Sequence, residues 1–175
     1  MTNASPRSRW HAVAAFAIAA ATAGCAGPWT VRPGQTQDEV QRLHGPPTGR
    51  YEMPGGTTRL EYATGPFGRH TWMFDLDASG RVVAANQVLD ERSFLELSER
   101  IARSPGGMAL PELLQTIGRP GERRRVGWTG GETWSWRYPT NDCLWYQVSI
   151  SREGRATAGG YGIDPTCDAP SDARH

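Results

Sequence analysis

Four histidines, three cysteines, two spaced aspartates and a run of three arginines are the side chains here whose types and spacing invite chemistry. A nucleophilic enzyme needs a nucleophile beside a base, with a third group orienting the base. His11 falls in a leader-like segment and His175 is terminal. His44 stands beside Gly45 at a helix end, where the C-terminal partial charge favours a cation. His70 opens a strand. No Gly-x-Ser-x-Gly, His-Glu-x-x-His or phosphate loop occurs. The histidines therefore suit structural roles, and the sequence points to no catalytic residue, no cofactor and no metal. Asp75-x-Asp77-x-x-Gly80 carries two carboxylates of a calcium loop but lacks the other ligands and the closing Glu, so a hairpin turn explains it better.

Arg123-Arg124-Arg125, followed by Trp128, is the sharpest local cluster. It suits contact with anionic lipid headgroups, with Trp128 at the interface, or bidentate contacts to a partner's carboxylates. A solvated strand edge, where charge discourages edge-to-edge pairing, suits it better still. Tyr51, Trp128 and Trp145 form a second group. If Leu144, Tyr146, Val148 and Ile150 face a core, Trp145 faces away from it. These aromatics then either form a protein-binding surface or are buried between two parts of the chain.

The cysteines divide into one and two. Arg7 and Arg9 precede Ala12 to Ala23, twelve residues without a charge. A charged start and a short apolar run make a secretory signal, too short to span a bilayer. Thr22-Ala23-Gly24-Cys25 closes it. This resembles a bacterial lipobox, in which the cysteine sulfur is lipidated and the cysteine becomes the mature N-terminus; Thr22 stands where Leu is usual. Ala26 rather than Asp follows Cys25, which by the same resemblance favours the outer membrane. Cleavage there removes Arg7 and Arg9 and takes the formal charge from +1 to −1. Cys143 and Cys167 remain as an even pair in an oxidising compartment, where a disulfide is the natural expectation. A zinc site is the weaker alternative, since no His lies near them.

Composition bounds the rest. All 19 basic residues are Arg and the charge is near zero, against a dedicated nucleic-acid binder. Seven Trp, five Tyr and four Phe are enough for a core.

The elements that must position these residues occur twice. Pro33 to Pro47 matches Gly106 to Pro120 at an offset of 73: Gly34 meets Gly107, Glu39 meets Glu112, Gly45 meets Gly118 and Pro47 meets Pro120. At 74, Tyr62 meets Trp136, Trp72 meets Tyr146, and Gly80-Arg81 meets Gly154-Arg155. Each half predicts a short helix followed by an antiparallel meander. Thr36 and Glu39 have capping-box spacing, Val40 and Leu43 share a face, and Gly45-Pro46-Pro47 stops the helix. Strands are expected over 59–63, 69–76 and 82–89, then through Trp134 to Tyr138, Leu144 to Ile150 and 155–162. A turn near Glu153 would bring Cys143 opposite position 163, four residues before Cys167. Asp90 caps a connecting helix whose Phe94, Leu97 and Ile101 are expected to pack on the first sheet.

The pattern carried by Pro33 to Pro47, Glu61-Tyr62 and Trp72 to Val82 resembles the SmpA/OmlA (BamE-like) family of small outer-membrane lipoproteins, with a diverged second copy over Gly106 to Pro120 and Trp134 to Arg155. The resemblance implies an α+β fold: two tandem units, each a short helical segment packed on a small antiparallel sheet, as in the β-lactamase inhibitor protein. The expected organisation is a signal peptide over 1–24, a lipidated tether over 25–33, a first BamE-like unit over 34–89, a partly helical connection over 90–105, a second unit over 106–167 and a polar tail over 168–175. It also implies a non-enzymatic lipoprotein on the periplasmic side of the outer membrane, held in lipid through acylated Cys25. Such a protein would serve envelope or outer-membrane protein assembly through an envelope protein partner, with the β-barrel assembly machinery as one such partner. The alternative is a periplasm-facing inhibitor or ligand-binding module on the same duplicated scaffold.

Overall fold

The computed structural model describes residues 30–64, 69–127, 130–138, 143–164 and 167. Its first element starts at the expected cap. Thr36 Oγ1 accepts the Glu39 N–H, and the Glu39 carboxylate accepts the Thr36 N–H at 2.7 Å. Those bonds hold the Glu39 carboxyl below the usual carboxylate range. Helix α1 (Gln37–His44) follows and ends at Gly45, whose φ of 79° only glycine adopts readily. Val40 is fully buried, whereas Leu43, expected on the same face, is 64% exposed. A helix this short buries a single stripe, and Leu43 falls off it.

Strands β1 (Gly49–Met53), β2 (Thr57–Thr64), β3 (His70–Leu76) and β4 (Val82–Gln87) form an antiparallel sheet in that order. Helix α2 (Glu91–Arg103), strand β5 (Met108–Ala109) and helix α3 (Leu110–Ile117) lead to β6 (Glu122–Val126), β7 (Gly131–Arg137), β8 (Leu144–Ile150) and β9 (Arg155–Ile163). The second sheet has the order β5-β9-β8-β7-β6 and is also antiparallel. The fold is α+β, with sheets of four and five strands in place of the smaller meanders expected. The additional strands are edges. In β6 the sequence Glu-Arg-Arg-Arg-Val carries no apolar alternation, because an edge strand needs its backbone more than its side chains; in β1 Gly49, Tyr51 and Met53 alternate with Arg50 and Glu52, but over five residues only.

One face of the first sheet sets Leu60, Tyr62, Phe74 and Leu76 against Val40 of α1, all nearly or fully buried. The second core gathers Phe94, Leu97 and Ile101 of α2, Leu113 and Ile117 of α3, and Trp134, Trp136, Tyr146 and Val148. The Asp90 side chain caps α2 as expected. The helix packs on the second sheet, however, not the first: the Phe94 ring stacks on Tyr146 with centroids 4.4 Å apart. Apolar spacing defines a buried stripe without saying which sheet receives it. Both sheets belong to one compact unit, Val31–His175.

Several hydrogen bonds recur at the sequence offset. The Tyr62 hydroxyl donates to the Gly45 carbonyl at 3.1 Å, and the Trp136 indole N–H donates to the Gly118 carbonyl at 3.1 Å. Thr36 bridges Arg81, and Ala109 pairs with Arg155. The Arg81 guanidinium donates to the Gly34 carbonyl, and that of Arg155 to the Gly107 carbonyl, each at 2.9 Å. The register slips between Asp75 and Leu76, and again between Ser149 and Ile150.

That second slip displaces the last hairpin by one residue, so Leu144 rather than Cys143 stands opposite Ile163. The Asp164 N–H donates to the Cys143 carbonyl at 2.8 Å, and the Cys167 N–H to the Asp164 carbonyl at 2.9 Å. The two cysteines are joined as a disulfide, with Cα atoms 5.8 Å apart and a sequence separation of 24. Closing a loop of that length removes unfolded-state entropy worth about 3 kcal/mol. Replacing Cys143→Ser and Cys167→Ser together is expected to lower the unfolding free energy by about that amount, read as a lower urea midpoint. An unchanged midpoint would show that the bridge does not constrain the unfolded chain.

Candidate functional site

Three groups of residues were singled out by sequence, and the fold treats each differently. Cys25 and Trp128 lie outside the described residues. Arg123, Arg124 and Arg125 occupy β6, an edge of the second sheet, and all three are exposed. The alternation of a strand divides them. Arg123 stacks its guanidinium 4.1 Å from the Trp134 ring centre. Arg124 pairs with Glu122 at 2.9 Å. Arg125 has no ion pair among the described residues. The run is thus a charged strand edge, and at most part of it is available to a partner.

Trp145 lies on the face of β8 away from the core, as its alternation requires, yet it is only 3% exposed. Its cross-strand neighbour Arg137 places its guanidinium 5.5 Å from the indole. Arg137 pairs in turn with Asp164 at 3.0 Å, and their side chains are 12% and 5% exposed. Trp145 is thus buried by neighbours of its own sheet rather than between two parts of the chain.

The remaining candidates resolve into local structure. His44 packs edge-on against Tyr62 and lies near Phe74, and burial holds its imidazole below the ordinary histidine range. That opposes the cation-favouring effect expected from the helix end. Asp75 forms a two-point pair with Arg59 at 2.6 and 2.8 Å. Asp77 accepts from the Ser79 hydroxyl, the Ser79 N–H and the Arg81 N–H, which keeps its carboxyl below the usual range. Asp77 is thereby engaged as in a hairpin turn, whereas Asp75 belongs to the strand before it and pairs across to β2. No group of three or more metal-ligating side chains occurs among the described residues.

A constellation that sequence reasoning did not single out as a site centres on Glu61. This residue is fully buried on the face of β2 opposite the α1 core. Its carboxylate accepts the Tyr51 hydroxyl at 2.5 Å on Oε2 and the Arg119 backbone N–H at 3.1 Å on Oε1. Arg59, two residues earlier on the same face, donates from Nη1 to the Gln115 carbonyl of α3 at 2.7 Å. The first sheet thus supplies a cation to the last turn of α3 and an anion to the N–H just beyond it. Two glycines make room for the carboxylate. A Cβ at Gly49 would stand 2.5 Å from Oε2, and one at Gly118 would stand 2.9 Å from the carboxyl carbon. Gly118 also has a φ of 77°. The signal in the sequence was the pair Glu61-Tyr62, with a carboxylate among strand residues.

No protein-family model matches the chain, and no curated protein sequence matches it. Among solved structures, the DUF4309 family protein YjgB from Bacillus subtilis is similar at 12% identity and a TM-score of 0.29, over 74% of this chain and 78% of that one.

The Tyr51 hydroxyl is pushed well above the ordinary tyrosine range, first by burial and then by its bond to the Glu61 carboxylate and that group's charge. A folded-state pKa above the unfolded one stabilises the fold below about pH 10, the ordinary value, and the contribution fades as pH rises beyond it. Replacing Tyr51→Phe is expected to cost about 1–3 kcal/mol at neutral pH, since a buried carboxylate loses a donor. It should also flatten the fall of the denaturation midpoint between about pH 9 and 11. A variant whose alkaline slope equals that of the parent would exclude Tyr51 as a group that resists ionisation.

Proposed function

We propose that this chain is a non-enzymatic, lipid-anchored envelope protein that acts through protein–protein contacts on a scaffold of two tandem BamE-like units. The observation that carries the scaffold reading is the recurrence of one helix-stop device: a glycine C-cap whose carbonyl is held by an aromatic donor from the second strand of the following sheet, Tyr62 to Gly45 and Trp136 to Gly118. The repeated arginine-to-glycine bond and the repeated register slip support it further. The family-like residues are caps, turns and strand aromatics, and Glu61 joins sheet to helix. These are the parts of a binding scaffold.

The anchor rests on Thr22-Ala23-Gly24-Cys25 at the end of an uncharged run. Val31 is buried and opens the compact unit that holds both sheets. Lipid on Cys25 would therefore hold the domain within about 20 Å of the bilayer surface, the reach of six extended residues. The outer membrane is the proposed location and an envelope assembly protein the proposed partner, with the barrel-assembly machinery as the first to test.

Replacing Cys25→Ala is expected to move the protein from the membrane pellet to the soluble periplasmic fraction. A Cys25→Ala protein that stays in the pellet would overturn the anchor. Cross-linking of the lipidated protein in isolated envelopes, followed by mass spectrometry, is expected to recover assembly components. Recovery of a single hydrolase instead would favour the inhibitor-like alternative.

A further inference from the structure

Edge strands expose unpaired backbone groups, and proteins usually guard them with charge, proline or shortness. Three edges here follow that rule. β1 is five residues long, carries Arg50 and Glu52, and is followed by Pro54. β6 carries three arginines. The start of β4 is covered by the segment before α1, through the Gly34 N–H to the Val82 carbonyl and the Val82 N–H to the Gln35 carbonyl.

β9 does not follow it. It is nine residues long, and β5 covers only Arg155 and Ala156. From Thr157 to Ile163 its outer side pairs with no strand among the described residues. The run Ala156 to Ile163 contains no charge and no proline. Helix α2 runs beside it: the Ser98 hydroxyl bonds the Tyr146 hydroxyl close to Gly159, and the Phe94 ring lies edge-on to Tyr161. Glu91, Leu95 and Ser98 share one stripe of that helix by their spacing. Seven large hydrophobic residues are exposed among the described residues, and four cluster here: Leu95 at 52%, Leu144 at 37%, Tyr161 at 46% and Ile163 at 59%. Leu144 and Ile163 are cross-strand partners. Apolar exposure concentrated along an unguarded strand marks an interaction site.

We propose that the bare edge of β9, flanked by α2, seats an extended strand of a partner protein that carries large apolar or aromatic side chains on both faces. The main-chain groups of β9 supply the ladder, and side-chain positions supply the preference. On the face toward α2, Leu95, Tyr161 and Ile163 offer apolar contact. On the other face a shallow hollow of 250 Å³ is lined by Gln147, Ser149, Ala158 and Gly160. A side chain at Gly160 would meet nothing. An aromatic residue opposite an edge glycine fills such a gap. A second copy of β9 fits less well. Paired with itself, the strand presents only Ala158, Gly160 and Gly162 to the hollow, and none can fill it. The inference rests on the second sheet and is independent of the lipid anchor.

The test uses the whole protein and a labelled nine-residue peptide of alternating tyrosine and threonine, with a central-proline version as control. Binding is read by fluorescence anisotropy and the site by amide hydrogen exchange. The peptide is expected to bind and to slow exchange over Thr157 to Ile163, while the proline version binds at least tenfold more weakly. Ala158→Lys, which guards the edge, and Leu95→Ser, on the helix side, are each expected to weaken binding about tenfold. Both positions are exposed, and wild-type exchange provides a readout that needs no variant. Protection elsewhere, or equal binding by both variants, would overturn the proposal. So would a concentration-dependent dimer abolished by Ala158→Lys, which would give the edge to a second copy.

Discussion

The contact on which the two cores depend is the grip of the first sheet on the end of α3. Arg59 holds a carbonyl of the last turn, and Glu61 holds the backbone N–H of Arg119 just past it. A helix leaves its final carbonyls unpaired and carries partial negative charge there, so a cation is the natural partner. The N–H beyond the turn is positive and takes an anion. Neighbouring residues of one strand face thus satisfy both. The other side of α3 sends Leu113 and Ile117 into the second core. One eight-residue helix therefore joins the two sheets: its apolar stripe faces the second core, and charge and hydrogen bonding fasten its end to the first sheet.

Burying Glu61 is costly unless its oxygens are satisfied. Tyr51 and Arg119 satisfy them, but only because Gly49 and Gly118 carry no side chain. These constraints depend on one another. Gly118 must be glycine for its backbone conformation as a helix stop and also for its clearance from the carboxylate. Its carbonyl is held by Trp136, a residue of the second core. A single residue thus ends a helix, touches the first sheet and accepts a bond from the second. In the first half Gly45 ends α1 in the same way, but a side chain there would meet nothing within 4 Å. Both carbonyls accept an aromatic donor, but only at Gly118 does packing also exclude a side chain.

Local signals were legible in the sequence to the extent that their physics is local. Thr36 with Glu39, Asp90 with Ser93, and the glycine stops each depend on residues a few positions apart, and each formed where its spacing required. The disulfide was legible from cysteine parity and hairpin position, although the slip at Ser149 and Ile150 shifted the register by one. Non-local choices were not legible. The stripe of Phe94, Leu97 and Ile101 does not reveal which sheet it meets. Strand β6 lacks a buried face of its own, so no alternation marks it, and the alternation of β1 is confined to five residues that open on a glycine. Trp145 follows the alternation of β8 yet is buried, because Arg137 and Asp164 cover a face that alternation alone leaves open. Glu61 was visible only as a carboxylate among strand residues, since the groups that hold it come from 10 residues before it and 58 after it.

The edges of the two sheets follow from the same division between local and non-local demands. β1 and β6 occupy equivalent edges and both are charged, as expected where a strand must remain unpaired in solution. β4 and, beyond the two residues that β5 covers, β9 lie at the opposite edges, and here the sheets diverge. β4 ends at Gln87 and leads into α2, so its length is limited by the helix that follows. β9 is nine residues long. It continues to Ile163, where Asp164 and the disulfide fasten it. Fastening at the far end keeps a glycine-rich strand extended despite the entropy that glycine would otherwise regain by fraying. The disulfide and the Arg137–Asp164 pair therefore hold rigid a strand whose own composition opposes rigidity. The same composition leaves its backbone accessible: Gly160 shields nothing, and no charge from Ala156 onward repels a neighbour. A strand that is both held straight and left bare is prepared to pair, whereas a strand that is only bare would lose that geometry to its own flexibility.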